Sequence, residues 1–236
     1  VDGGNNRVGI GTTGGSGETL TVTKTGADAT VRVNAVSSQE AALKLQGNNT
    51  VTNTFKIASE EDDSGLTIQK WNGSAYVTHL KSDANGHITK PLQSAFFAHA
   101  NTAQSNLSTG GQVTIHFQTE RFDQNADYDT STYTFTAPVT GKYQLNANVR
   151  LNALDSSASY YIIYIVTSNK NYFMIFDPTR FSDDVTFWNM NQSVLVDMDA
   201  SDTAKVRFFQ PNGAAQTDID GGSGDTPSNF SGFLVA

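Results

Sequence analysis

Residues Tyr133–Leu151 read YTFTAPVTGKYQLNANVRL. Tyr143, Leu145, Ala147, Val149 and Leu151 share one parity, and Gln144, Asn146, Asn148, Arg150 and Asn152 share the other. Side chains alternate across a strand, so this is a β-strand with one dry face and one wet face. Pro138 and Gly141 precede it at the spacing of a tight turn between two strands. The last residues, Phe230–Ala236 (FSGFLVA), offer a partner strand.

Outward from this stretch, residues 93–236 break into short apolar runs separated by polar turns. Strands are expected at Phe96–Ala100, Val113–Phe117, Thr132–Thr136, Lys142–Asn152, Ser159–Thr167, Asn171–Phe176, Thr186–Trp188, Gln192–Asp197, Lys205–Gln210 and Asn229–Ala236. Phe122–Asp129 and Pro211–Pro227 read as loops. This many short strands with turn-rich links imply an all-β jelly roll or Greek-key sandwich.

One strand is unusual. Tyr161, Ile163 and Ile165 lie on one face of Ser159–Thr167, and Tyr160, Ile162, Tyr164 and Val166 lie on the other. Both faces are apolar, whereas an antiparallel sandwich exposes one face to water. The expectation is that one of these faces meets another subunit. The interface candidates are therefore Tyr160, Tyr161, Ile162, Ile163, Tyr164 and Ile165.

Residues 1–92 differ in kind. They hold only Phe55, Trp71 and Tyr76 of the chain's twenty-four aromatics. Pairs such as Leu20/Val22, Val31/Val33, Leu43/Leu45, Phe55/Ile57 and Leu66/Ile68 recur at period two between Gly, Asn, Asp and Ser. A strand is expected over Ala42–Gln46, with a capping-box helix opening at Ser37–Glu40 as the competing reading. Asn85-Gly86 predicts a hairpin between Leu80 and Ile88. Each strand carries too few large side chains to build a core in one chain. Residues 1–92 are accordingly expected to form a β-rich stalk or neck packed between subunits.

Of 236 residues, 23 are acidic and 15 are Lys or Arg, a net charge of −8. No basic patch suits a phosphate backbone, so no nucleic-acid partner is expected. The longest apolar run, Tyr160–Val166, is far too short to span a bilayer, so no membrane insertion is expected. Cysteine is absent, which removes disulfides and thiolate metal sites. The glycine-rich opening, residues 1–17, lacks the strand and helix that a phosphate loop requires, and the start is too polar for a signal peptide. The histidines lack zinc-protease spacing, no Gly-x-Ser-x-Gly elbow occurs, and no carboxylate pair is singled out for glycoside cleavage.

Candidate sites remain on the loops. Trp188 with Asn189, Asn191 and Gln192, joined by Tyr172 and Arg180, pairs an aromatic with amides. That combination suits stacking on a sugar and hydrogen bonding to its hydroxyls. No cofactor is required by the sequence. Asp218, Asp220 and Asp225, with Asp183 and Asp184 (or Asp197 and Asp199) as contributors, are oxygen ligands of the type calcium takes.

Two resemblances complete the reading. Phe135-Thr-Ala-Pro138, Gly141-Lys-Tyr143, Val194-Leu195-Val196 leading to Asp202, and Phe230-Ser-Gly-Phe-Leu234 resemble the C1q/TNF-like superfamily over about residues 94–236. Ser201 stands where the family has a glycine before the aspartate. The resemblance implies a ten-stranded jelly roll in a homotrimer with both termini near its base. It also implies recognition of a protein or glycan receptor at a cell surface, calcium near the apex in some members, and no enzymatic activity. Asn5–Thr13 (NNRVGIGTT), Glu18–Val22 (ETLTV) and Asp83–Pro91 (DANGHITKP) resemble segments of phage tail-fibre proteins, with Gly14–Gly17 in place of a Ser-Pro. Together these imply a fibre tip on a virion surface. The alternatives are a secreted, extracellular lectin or adhesin, and a polysaccharide depolymerase.

Overall fold

The computed structural model describes residues 40–46, 54–59, 65–224 and 227–236. The chain divides into two compact units, Val1–Thr89 and Lys90–Ala236. The expected strands at Leu20/Val22 and Val31/Val33, and Ser37–Gln39 of the alternative helix, lie outside the described residues.

In the first unit, β1 (Ala41–Gln46), β2 (Thr54–Ser59), β3 (Leu66–Trp71), β4 (Tyr76–Ser82) and β5 (Ile88–Thr89) form one antiparallel sheet in sequential order. β1 is thus a strand, as one of the two readings had it. The register aligns Leu43, Ile57, Ile68 and Leu80 straight across four strands. On this apolar face Leu43 and Leu45 are both 51% exposed, and Leu66 is 48% exposed. The polar face, with Thr54, Lys56, Thr67 and Gln69, is buried. The usual inside-out order is reversed. Gly86, at φ 86°, turns the chain between β4 and β5, and Asp83 accepts from the amides of Asn85 and His87 there.

The second unit, the head, contains β6 (Ala95–His99), β7 (Gln112–Thr114), β8 (Thr119–Asp123), β9 (Tyr128–Asp129), β10 (Thr134–Thr136) and β11 (Gly141–Leu154). They are followed by β12 (Tyr161–Thr167), β13 (Asn171–Phe176), β14 (Val185–Met198), β15 (Thr203–Phe209), β16 (Asp218–Ile219) and β17 (Asn229–Leu234). One sheet runs β14-β11-β17-β6-β8, with β16 also on β11. The facing sheet runs β13-β12-β15-β10-β9, with β7 also on β15. Non-sequential neighbours in both sheets give the jelly-roll sandwich expected from the sequence.

The dry parity of β11 builds the core. Tyr143, Leu145, Val149 and Leu151 have no exposed surface and meet Phe135, Ile163, Phe208 and Phe230 from both sheets. Tyr143 also donates its hydroxyl to the Val139 carbonyl at 2.7 Å, which locks the Pro138–Gly141 turn to the strand it feeds. The two expected strands Thr186–Trp188 and Gln192–Asp197 are one, because β11 pairs with β14 along its whole length, from Gly141↔Met198 to Leu154↔Val185. β9 and β16 arise inside segments read as loops, and β8 runs into the first of them.

The two-faced strand is resolved. Tyr161, Ile163 and Ile165 of β12 are fully buried in the head's own core, so these three are not subunit-interface residues. Ile162 and Tyr164 point the other way, beside Ile175 and Phe173 of β13, which are 55% and 59% exposed. Tyr160 lies just before β12 and is half-buried.

Ser201 has a φ of 76°, so a side chain occupies a left-handed turn where the resembling family carries glycine. Asp202 secures the turn by accepting from the Asp199 amide at 2.9 Å and from Asn169 at 2.7 Å. Ser201→Gly is expected to stabilise the head by up to about 1 kcal/mol once the added freedom of the unfolded chain is subtracted. Thermal denaturation reads this as a Tm higher by about 2–4 °C.

Candidate recognition surface

β14 decides which candidate residues act together. Trp188 and Gln192 are on the parity that faces the opposite sheet, whereas Asn189 and Asn191 are on the outward parity. The tryptophan and the two asparagines therefore do not share a surface, which corrects the sequence expectation. Trp188 stacks on Phe176 at 4.5 Å and meets Phe181 edge-on at 5.6 Å, closing the open edge of the sandwich between β13 and β14. Gln192 lies along the same edge, its Oε1 buried without a partner.

Tyr172 is also separated from Trp188. It precedes Phe176 by four residues on β13, which places it about 13 Å along the strand. There it lines a cavity of about 250 Å³ with Asn169, Lys170, Asp197 and Asp199. Lys142 pairs with Asp197 at 2.6 Å at the end of β14. Arg180 is exposed in the β13–β14 loop. Two residues before it in this loop is Pro178, and Asp177 accepts the Thr179 hydroxyl at 2.6 Å. That bond, with the Thr179 amide and the nearby Arg180 charge, holds the Asp177 carboxyl below its ordinary range.

The outward asparagines instead join the wet face of β11. Asn189 pairs with Arg150, Asn191 with Asn148, and Ser193 with Asn146. Gln144 donates to Ser193 at 2.9 Å, and Ser193 donates to Asn146 at 2.8 Å. Asn148 donates to the Pro227 carbonyl at 3.1 Å. Above them the Arg150 guanidinium sits 5.2 Å from the ring centre of Phe187, itself 54% exposed. The result is a flat field of amides and hydroxyls ending in an aromatic–guanidinium pair. Arg150, Phe187 and the β11 amides are the members that loop-based reasoning missed. Phe187 shares parity with Asn189 and Asn191, and Arg150 shares it with the β11 amides; these two alternations were the available signal.

The described acidic candidates have partners within the chain. Asp220 takes both Nε and a terminal nitrogen of Arg150, at 2.7 and 2.6 Å. Asp218 accepts from the Asn106 amide at 2.6 Å. Asp184 accepts the amide and hydroxyl of Ser156, both at 2.8 Å, and Asp183 accepts from Ser182 at 2.9 Å. Asp225 lies outside the described residues. Among the described residues no group of three His, Asp or Glu is placed to hold a metal ion. With Asp220 held by a guanidinium, a chelator is expected to leave Tm within about 1 °C of its starting value; a larger fall would show that calcium is bound elsewhere in the chain.

Among the described residues no helix is long and apolar enough to cross a membrane. The family model described as the C1q domain matches residues 95–235. Among solved structures, the globular domain of zebrafish complement 1qA protein is similar at 17% identity, with a TM-score of 0.44, covering 61% of this chain and 98% of that one. Murine APRIL is similar at 9% identity, with a TM-score of 0.44, covering 61% of this chain and 99% of that one. No curated protein matches the chain.

Proposed function

The chain belongs to the C1q domain family through residues 95–235, and on that premise we propose that it is an extracellular lectin or adhesin that binds a cell-surface glycan or protein. Domains of this family are non-catalytic, so the depolymerase reading is set aside. One observation carries the proposal: the outward amide field of β11 and β14, capped by Phe187 over Arg150. Amides satisfy sugar hydroxyls or peptide groups, and the aromatic–guanidinium pair supplies stacking area. The test is saturable binding of the purified chain to cells, before and after enzymatic removal of surface glycans. Binding is expected, with a loss of about tenfold in affinity for Asn189→Ala/Asn191→Ala. Binding that the double variant leaves unchanged would move the site elsewhere.

We further propose a homotrimer. The head exposes two apolar patches on opposite sides of the sandwich. Phe173 and Ile175 flank Ile162 and Tyr164 on one side. Leu195 and Phe233 flank Gln144 on the other, near Phe97 and Phe122. Two different patches that meet between copies make a head-to-tail contact, which forms a ring when the rotation between copies closes. The number three is the one that the family resemblance implies. The exposed apolar face of the N-terminal sheet, with Leu43, Leu45 and Leu66, is a further surface suited to packing between copies.

The likeness of residues 5–22 to tail-fibre segments lies outside the described residues, and the family match covers only the head. A fibre tip on a virion surface is therefore the second reading. It uses the same binding face.

A further inference from the structure

The N-terminal sheet holds a cavity of its own. Its polar face brings Lys44, Lys56 and Gln69 into one cross-strand row, with Gln46–Thr54 and Trp71–Tyr76 beside it. A cavity of about 370 Å³ opens here, lined by Lys44, Gln46, Thr54, Trp71, Gly73 and Tyr76.

The aromatic wall is rigid. Trp71 and Tyr76 end β3 and begin β4, their rings edge-to-face at 5.1 Å. Asn72 secures the turn between them, accepting from the Ser74 and Ala75 amides at 2.9 Å each. Gly73, at φ 109°, turns the chain with nothing within 4 Å of where a side chain would begin.

The charges are unequal. The Lys56 and Lys44 ammoniums lie 4.6 and 5.5 Å from the Tyr76 ring centre. Lys56 is buried and ion-paired to Glu40. Lys44 is exposed and has no carboxylate partner among the described residues. One more donor is unused: the Trp71 indole Nε1 is buried without a hydrogen-bond partner. A buried donor left unpaired carries a desolvation cost that a ligand acceptor relieves.

We infer that this cavity binds an acidic saccharide of the uronic-acid class. The Tyr76 and Trp71 rings would take the apolar face of a sugar ring. The Lys44 ammonium would take its carboxylate as a charge-assisted pair, and the indole N–H, Gln46 and Thr54 would take hydroxyls. A neutral sugar leaves Lys44 without a counter-charge, so it is the weaker ligand.

The experiment uses the full chain labelled with fluorotryptophan. The chain holds two tryptophans, so its fluorine spectrum has two resonances, and the one lost in Trp188→Phe identifies its neighbour as Trp71. Trigalacturonate is titrated against maltotriose. The Trp71 resonance is expected to move saturably with trigalacturonate, with maltotriose at least about tenfold weaker and Lys44→Gln about tenfold weaker for trigalacturonate. Tyr76→Ala should abolish the shift. Should that variant unfold, exposed Lys44 still provides the decision. An unmoved Trp71 resonance, equal affinity for the two probes, or a Lys44→Gln variant that binds as well as the parent would each overturn the assignment. A shift confined to Trp188 would place saccharide binding in the head and overturn it as well.

Discussion

Ile163→Asp is expected to unfold the head, while Tyr164→Asp, one residue along the same strand, leaves it folded. Ile163 has no exposed surface and sits in register between Met174 of β13 and Phe208 of β15. An ionised carboxylate there has no counter-charge and no hydrogen-bond donor, at a cost of several kcal/mol against a total stability of about 5–15 kcal/mol. The expected Tm falls by about 10 °C or more, or cooperative melting disappears. Tyr164 is half-buried on the outward parity, between Phe173 and Arg207. Its replacement changes the stability of an isolated head by about 1 kcal/mol or less. Near-ultraviolet circular dichroism and thermal melts of the two variants compare the faces directly. Equal damage from both would mean that the outward face is also core.

This contrast shows how far parity alone carries. In β11, polar and apolar residues alternate cleanly, so the sequence identifies the buried face, and the structure places Tyr143, Leu145, Val149 and Leu151 there. In β12 both parities are apolar, and only the position of the second sheet distinguishes Ile163 from Ile162. β14 was harder still. Asn189 and Asn191 interrupt its apolar pattern, which suggested a break, but their backbone groups continue to pair with β11. Sequence could locate amides and an aromatic near residue 188. It could not show that a step of one residue sends Trp188 and Asn189 to opposite faces until the strand was seen to be continuous. The acidic loop conceals a strand for another reason. Asp218 and Asp220 flank Ile219, which is fully buried and pairs with Leu151. The first of these carboxylates lies in a short strand, and the second pairs with Arg150 just after it. The signal was the apolar residue between them.

Phe173→Glu combined with Ile175→Glu is expected to convert the assembled protein to folded single chains. Both residues are more than half exposed in the isolated chain, so neither supports the core, and the double variant should retain the parent's far-ultraviolet spectrum. Both lie on β13, the edge strand of its sheet, beside Ile162 and Tyr164. Edge strands with apolar outward residues are natural sites of association, and charges placed on them oppose it. In a three-fold ring each subunit contributes this patch once, so two substitutions introduce six buried carboxylates into the assembly without touching a single core residue. Each lacks a partner, and the cost of burying them exceeds what an interface of ordinary size returns. Light scattering should therefore report about three times 25.4 kDa for the parent and about 25.4 kDa for the variant. A parent that is already monomeric removes the ring argument and leaves the amide field as a single-site binder. A variant that stays trimeric locates assembly on the remaining apolar surfaces, Leu195 and Phe233 of the head or the Leu43–Leu80 face of the N-terminal sheet. In that outcome the patch beside β12 becomes open surface, available to the receptor, and avidity from three linked copies would still multiply whatever affinity one copy has.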